Sequence, residues 1–531
     1  MSVERVLQLL QAGDLAGAAT LAGQAIAGGA SHPLLFDARG HLLLQQGHAQ
    51  AALADFERAL ALAPSNPALH DSKARCLIAL DRAGEALAAC DRAIALAPGF
   101  AMAHYDKGWA AESLGELALA ARCYVRARRL EPRMADAPAR LASLAARRGD
   151  RSEAKALAEA ALALDPQNGI ATLALATARL GDGELEGLAE RLTTLASDPR
   201  TAPQTRASAL GLLGDVHDRQ DRVADAFTAY RAANVELERL YRPRFAGIPG
   251  GVARVQRLQG EFVAIDPALW PALRGTGALA QEARHIFVLG FYRAGTTLLG
   301  QILASHPDVV TLEEKPAMID AADDFLDAPG GLARLAALDE AGLEPYRARY
   351  WQNVRRLEPA SGGKTVVDKL PLNSLALPVV ARLFPAAKIL FAVRDPRDVV
   401  FSCFRRSLSV NRDSYEMLDL ERGARFYDAA MNFAEAARAV LPLNIRNVRN
   451  EDLVADFETE VRGMCGFLGL EWRDSMLDFA EQSRSRAIAT PSAAQVARGL
   501  NSDGVGQWRR YRVQIARIEP ILACWVRAFG Y

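Results

Sequence analysis

Along the first third of the chain, apolar residues recur at helical spacing, as at Leu53, Phe56 and Leu60, and small residues punctuate them on a fixed grid. Pro64, Pro98, Pro132 and Pro166 stand 34 residues apart, in the contexts ALAP, ALAP, LEP and LDP. Gly13, Gly47, Gly115 and Gly149 keep the same interval, with Asp81 in the missing slot. Five residues after each comes alanine (Ala18, Ala52, Ala86, Ala120, Ala154), and twelve after each another (Ala25, Ala59, Ala93, Ala127, Ala161). The pattern predicts helix–turn–helix units. Glycine or aspartate reverses the chain, small alanines let helices approach closely, and proline stops the second helix. Later the grammar changes. HIFVL (285–289), KTVV (364–367) and KILFAV (388–393) are short β-type runs separated by helical stretches, including 297–305. Such alternation predicts a parallel sheet with crossover helices, whose ligands bind at the carboxyl ends of the strands.

The grid resembles the tetratricopeptide repeat over roughly residues 3–170. It fades between about 171 and 203 and partly returns in Asp221, Ala226 and Ala233, a degenerate last unit. The expected layout is an all-α helical solenoid over 1–238 and a proline- and glycine-rich connector over 239–281, with one helix near 252–262. An α/β parallel-sheet, P-loop-like domain over 282–531 completes it. Such an array presents a concave surface for a protein or peptide partner; a rigid spacer or dimerisation element is the alternative.

Composition narrows this little. Lys plus Arg and Asp plus Glu are 63 each, which removes any bulk attraction to nucleic acid or an anionic membrane. The six cysteines show no CxxC spacing and read as small buried thiols in a reducing compartment. No apolar run approaches the roughly 18 residues of a membrane span, and the first residues lack the apolar core of a secretory signal. The expected address is cytoplasmic.

Candidate chemistry begins where the first predicted strand runs into GFYRAGTTLL (290–299). Gly290 and Gly295 permit a tight turn, so that backbone N–H groups converge on an anion at the positive end of the following helix. Arg293 adds a permanent charge, and Thr296 and Thr297 add hydroxyls. The loop has Walker spacing, but Thr296 stands where a nucleotide triphosphatase needs lysine.

Three segments in order, FVLGFYRAGTTLLGQILASHPDV, KILFAVRDPRDVVFSCF and TPSAAQVARGLNSDGVGQWRRY, resemble the sulfotransferase family, and within it the tyrosylprotein branch and its bacterial relatives. Tyr292 and Ala294 depart from the proline and serine of the commonest loop, and Asn450 stands where relatives often have tyrosine. The resemblance implies 3′-phosphoadenosine 5′-phosphosulfate as donor and no metal. It implies that Arg293, Ala294, Gly295, Thr296 and Thr297 hold the 5′-phosphosulfate and that Arg394 and Ser402 hold the 3′-phosphate. Ser492, Arg498 and Gly499 match cofactor contacts of the late loop, with Trp508 and Tyr511 as its anchors. Lys369 would stabilise charge on the bridging oxygen. Glu314, 21 residues after Arg293, is the expected base, with Glu313 in reserve. His285, at the wrong end of its strand, and His306, read as a helix cap, are set aside; Arg405 and Arg406 are read as surface. The acceptor is a hydroxyl: tyrosine in a protein, a sugar or a lipid headgroup. A P-loop kinase, and a repeat scaffold carrying an inactive nucleotide-binding domain, stay open as alternatives.

Overall fold

The computed structural model describes residues 2–270, 285–406, 408–481 and 499–531, and forms two compact units, Met1–Glu184 and Leu185–Tyr531. Eleven helices, from Ser2–Gln11 to Gly169–Asp182, make up the described part of the first. The grid residues turn the chain with positive φ: 78° at Gly13, 83° at Gly47, 59° at Asp81, 77° at Gly115 and 84° at Gly149. Glycine meets no steric cost there and aspartate a small one, which explains that pairing of residue types. Ala18, Ala52, Ala86, Ala120 and Ala154 are fully buried. A second regularity emerges seven residues before and nine after each turn. The pairs are Val6/Ala22, Gly40/Phe56, Ala74/Cys90, Gly108/Tyr124 and Ala142/Ala158, and in the two that hold a ring the partner is glycine. A Cβ on Gly40 would lie 2.9 Å from the Phe56 ring and one on Gly108 2.6 Å from Tyr124, so an aromatic ring requires glycine opposite.

The second unit is built on a five-stranded parallel sheet: β1 His285–Leu289, β2 Val309–Glu313, β3 Thr365–Lys369, β4 Lys388–Val393 and β5 Asn444–Arg449, in the order β2-β3-β1-β4-β5. The chain passes to one side of β1 for β2 and β3 and to the other for β4 and β5. The carboxyl ends of β1 and β4 therefore flank a topological switch point, where such sheets take ligands. β1 is buried along its whole length, as its continuous apolar run requires.

The compact units divide at 184/185, whereas the sequence pattern puts the change at 238. The returning repeat is the cause. Helices Pro203–Arg219 and Val223–Phe245 form its hairpin, with Asp221 at the turn (φ 59°), and Ala226 and Tyr230 join the same apolar cluster as the sheet. The stretch read as a connector contributes too: helix Gly251–Ala264 buries Val255, Leu258 and Phe262 in that cluster. Among the described residues no helix is long and apolar enough to cross a membrane.

Candidate active site

β1 is followed by Gly290, where a Cβ would fall 2.8 Å from the Ala392 carbonyl of the neighbouring strand, so only glycine lets the chain leave the sheet here. The loop then passes through Arg293 (φ 62°) and Gly295 (φ 109°) into helix Thr296–Ala304. Arg293 and Glu314 (φ 55°) share a distinction: apart from the turn aspartates Asp81 and Asp221, they are the non-glycine residues with positive φ among the described ones. Such backbone costs about 1–3 kcal/mol and persists where the surroundings over-determine it, most often at functional sites.

Arg394 follows β4, and Ser402 lies in the next helix, Pro396–Arg405. Ser402 Oγ accepts from Arg293 Nε at 3.1 Å, and Arg394 Nη1 donates to the Arg293 carbonyl at 3.0 Å. Nη2 of Arg394 bonds the Gly504 carbonyl, while its buried Nε has no hydrogen-bond partner among the described residues. The nearby acids are otherwise engaged. Asp395 caps the helix and pairs with Arg397 at 2.7 Å, and Asp398 accepts the Gly506 and Trp508 amides at 2.6 and 2.8 Å. A cleft of about 660 Å³ opens here, lined by Arg293, Gly295, Thr297, Arg394, Ser402 and Gly499. Asn450, Asn501 and Gln507 line it as well. Ala294 and Thr296 are buried beside it, and the Ala294 amide closes the turn on the Phe291 carbonyl at 3.2 Å. Ser492 and Arg498 lie outside the described residues. Burial, with the Arg406 and Arg394 guanidiniums, pulls Arg293 down to about 9. Cationic crowding of this kind is relieved by a bound anion.

A second cluster forms at the ends of β2 and β3, where Glu313 and Lys369 are in register. Lys369 has no exposed side-chain surface, and its Nζ lies 2.9 Å from both Glu313 Oε2 and Glu314 Oε1, hydrogen-bonding the latter. Gln301 donates to the other oxygen of Glu313 at 2.6 Å, and the Glu314 amide bonds the Lys369 carbonyl at 2.9 Å. Glu313 is thus clamped on both sides, at 20% side-chain exposure, while Glu314 is at 35%.

The histidines sit elsewhere. His306 Nδ1 accepts the Asp308 amide at 3.1 Å and Nε2 donates to the Glu471 carbonyl at 3.0 Å, so its ring ties two loops together, while Ser305 and not His306 caps the helix. His285 is buried against Tyr350 OH at 2.6 Å, and burial pulls it down to about 3.

Residues 285–474 match the family model described as the sulfotransferase family, and 38–99 and 139–187 match the tetratricopeptide repeat. The second half of the chain carries a sulfotransferase-family domain. Among similar proteins, an uncharacterized protein of Aquifex aeolicus (strain VF5) is 26% identical over 70% of this chain and 48% of its own length. The protein-tyrosine sulfotransferase 1 of Danio rerio is 27% identical over 46% of this chain and 72% of its own. The protein-tyrosine sulfotransferase of Drosophila melanogaster is 25% identical over 48% and 53%. The chain thus spans about half the length of the first and third of these relatives.

In the sulfotransferase domain two expectations fail: Cys524 is an exposed thiol, not a buried one, and Arg405 and Arg406 are not simple surface charges. Arg405 is 7% exposed and pairs with Asp215 at 3.1 Å and Asp218 at 3.4 Å, and Arg406 pairs with Asp215 at 2.7 Å. Their acids lie some 190 residues away, out of reach of local pattern. Trp508 and Tyr511 are buried and tied down: the indole lies under Arg397 at 3.8 Å, and Tyr511 OH donates to Asp218 at 2.6 Å. Gln507, Asn501 and the clamp residue Gln301 went unnoticed, because neutral amides carry no motif.

Proposed function

We propose that the sulfotransferase domain transfers a sulfuryl group from 3′-phosphoadenosine 5′-phosphosulfate to an acceptor hydroxyl, with tyrosine in a protein as the first candidate. The observation that carries this is the convergence of Arg293, Arg394 and Ser402 on one cleft at the sheet's switch point. The residues fit the donor: two crowded guanidiniums, and a buried Arg394 Nε without a partner among the described residues, call for an anion. A Cβ on Gly295 would lie 2.9 Å from Asn450 Oδ1, so a bare backbone faces the cleft. When bound, the donor supplies an activated sulfuryl on a phosphosulfate anhydride.

The chain's own residues do the rest. Arg293, Thr297 and the 294–297 amides hold the 5′ end, and Arg394 and Ser402 hold the 3′-phosphate, with Thr296 and Gly499 supporting the walls. In this reading Ser492 and Arg498 add contacts to the donor's phosphosulfate or 3′-phosphate. Lys369 faces charge developing on the leaving oxygen, where a preorganised cation lowers the barrier. Glu314 takes the acceptor proton. It is preferred over Glu313 because Gln301 and Lys369 hold both oxygens of Glu313, whereas Glu314 has one oxygen on Lys369 and is the more exposed. Tyrosine as acceptor is supported by the names of the zebrafish and fly relatives. The repeat array would take a protein or peptide partner, and a cytoplasmic address rests on the buried free thiols of Cys76, Cys90, Cys123, Cys403 and Cys465.

Calorimetric titration with 3′-phosphoadenosine 5′-phosphate tests the reading. Wild type binds with or without magnesium, and Arg293→Ala and Arg394→Ala each weaken binding about tenfold or more, as expected for a charged hydrogen bond. Binding of ATP with magnesium instead would favour a kinase, and no binding would leave the array as the working part.

A further inference from the structure

The last helical hairpin does more than continue the repeat. Asp215 and Asp218 stand at the end of its first helix, Pro203–Arg219, and both face the sulfotransferase domain. Asp215 Oδ1 accepts from Tyr230 OH at 2.8 Å and from Arg405 Nη2 at 3.1 Å, and Oδ2 accepts from Arg406 Nη1 at 2.7 Å. Asp218 Oδ1 accepts from Tyr511 OH at 2.6 Å and Arg510 Nη1 at 2.8 Å, and its Oδ2 lies 3.4 Å from Arg405. Arg405 in turn donates to Gln507 Oε1 at 2.9 Å, and Gln507 lines the cleft. Apolar contact runs alongside: Phe227 stacks on Phe404 at 5.4 Å, and Asn234 donates to the Phe404 carbonyl at 2.9 Å.

Two walls of the cleft are fixed by these contacts. One is helix Pro396–Arg405, whose last turn carries both Ser402 and Arg405. The other is the segment 504–511, which gives Arg394 its Gly504 carbonyl and ends on Tyr511. We propose that Asp215 and Asp218 are positioning residues for the donor cleft, acting through Arg405, Gln507 and Tyr511 to hold Ser402 and the 504–511 wall at their spacing. Asp215 also neutralises Arg405 and Arg406, which otherwise add to the crowding on Arg293. Burial pushes the Asp215 carboxyl up, and Arg406 and Arg405 more than offset it, so it stays below the ordinary carboxylate range. The hairpin is in this sense a part of the enzyme that happens to have the sequence of a repeat. The contacts it makes fix walls of the donor cleft, so its effect falls on donor affinity and leaves the chemical step alone.

The inference rests on the sulfotransfer reading, and its test separates the two. The full chain is titrated with 3′-phosphoadenosine 5′-phosphate as wild type, Asp218→Ala, the isosteric Asp218→Asn, Tyr511→Phe and the double variant Asp218→Ala/Tyr511→Phe. Asp225→Asn, an exposed change on the same hairpin, is the control. Asp218→Ala is expected to weaken Kd about tenfold at full stoichiometry, and Asp218→Asn by less, because it keeps an acceptor for Tyr511. Tyr511→Phe should add under about twofold in the Asp218→Ala background, as for two groups acting as one unit. In turnover assays KM for the donor rises while kcat at saturation stays within about twofold of wild type. An unchanged Kd in both Asp218 variants overturns the proposal, and so does a fall in stoichiometry alone, which marks a merely structural role. Failure of wild type to bind defeats the sulfotransfer reading and this inference with it.

Discussion

The cores of the two units are organised differently. In the first, apolar side chains gather in separate clusters, each confined to neighbouring repeats: one from Phe36 to Ala110, another from Ala101 to Leu144, a third from Ala139 to Leu175. In the second, one large cluster reaches from Ala226 to Trp525 and takes in part of the repeat-like hairpin, the sheet and the last helix, with a small satellite of Ala207, Leu237 and Leu418. A lesion in the array is thus felt by adjacent repeats, whereas the sulfotransferase domain transmits it across the sheet. The hairpin is the instructive case, because its pattern belongs to the first kind of region and its contacts to the second. Repeat grammar reports how a hairpin closes; its partners decide what it does.

Lysine substitutions sharpen the contrast most. Lys73 pairs with Glu57 at 2.9 Å on the array surface, at 30% and 53% side-chain exposure. Lys73→Met is expected to cost under about 1 kcal/mol in a denaturant melt, since exposed pairs contribute little. Lys369→Met removes a fully buried cation from between two carboxylates. It is expected to cost about 3–5 kcal/mol and to lower turnover at least about a hundredfold, measured by denaturation and by sulfate transfer. Comparable losses at the two sites would break the distinction.

Titration gives the second contrast. In the array, burial pushes the paired carboxyls of Asp71 and Asp106 up, so the folded state keeps a proton there that the unfolded chain releases near 4. That contribution is full below about 4 and is lost as pH rises through the raised folded range. In the sulfotransferase domain, Tyr350 OH bridges His285 at 2.6 Å and Asp368 at 3.0 Å. Burial raises Asp368 to about 7 and lowers His285 to about 3. From about 4 to 6.5 the folded state therefore holds one proton more on Asp368 and one fewer on His285, and the two slopes cancel. Asp368→Asn leaves the histidine alone, so stability should fall by about 1.4 kcal/mol per pH unit, relative to wild type, as pH drops below 6.5. His285→Gln leaves the opposite slope, falling as pH rises towards about 7. Asp71→Asn should only flatten the array's decline. Denaturant melts of each variant against wild type from pH 4 to 7 check all three, and parallel curves for Asp368→Asn and wild type would sink the account.

Legibility followed the same divide. The 34-residue grid could be read because a repeat's packing is dictated by its neighbours in sequence. The anion loop could be read because Gly290, Arg293 and Gly295 are consecutive with the strand that positions them. The role of Asp215 could not, because its arginines arrive 190 and 191 residues later. Nor could the use of Asp398 by the Gly506 and Trp508 amides, since a carboxylate in RDPRD reads locally as a partner for arginine. Helix Gly251–Ala264 was legible as a helix, but its place in the core was hidden by the glycine and proline around it. The facing size pairs of the repeats were present in the sequence and needed the packing to give them meaning.

Those pairs supply the last test, and it uses the same chemical change in both regions. Gly108 faces Tyr124 in the array, and Gly214 faces Tyr230 in the hairpin, each glycine sixteen residues before its ring. An added Cβ would meet the ring at 2.6 Å in the first case and 2.4 Å in the second, so the ring must shift in both. Overpacking of this kind costs about 1–3 kcal/mol, and Gly108→Ala and Gly214→Ala should destabilise to a similar degree in a melt. Their consequences then part. Tyr124 OH donates to Glu112 within the array, so Gly108→Ala leaves donor affinity within about twofold of wild type. Tyr230 OH donates to Asp215, which holds Arg405 and Arg406 beside the cleft, so displacing that ring should weaken donor binding several-fold. Equal stability losses with unequal affinities identify the hairpin as part of the sulfotransferase domain; equal affinities would return it to the array.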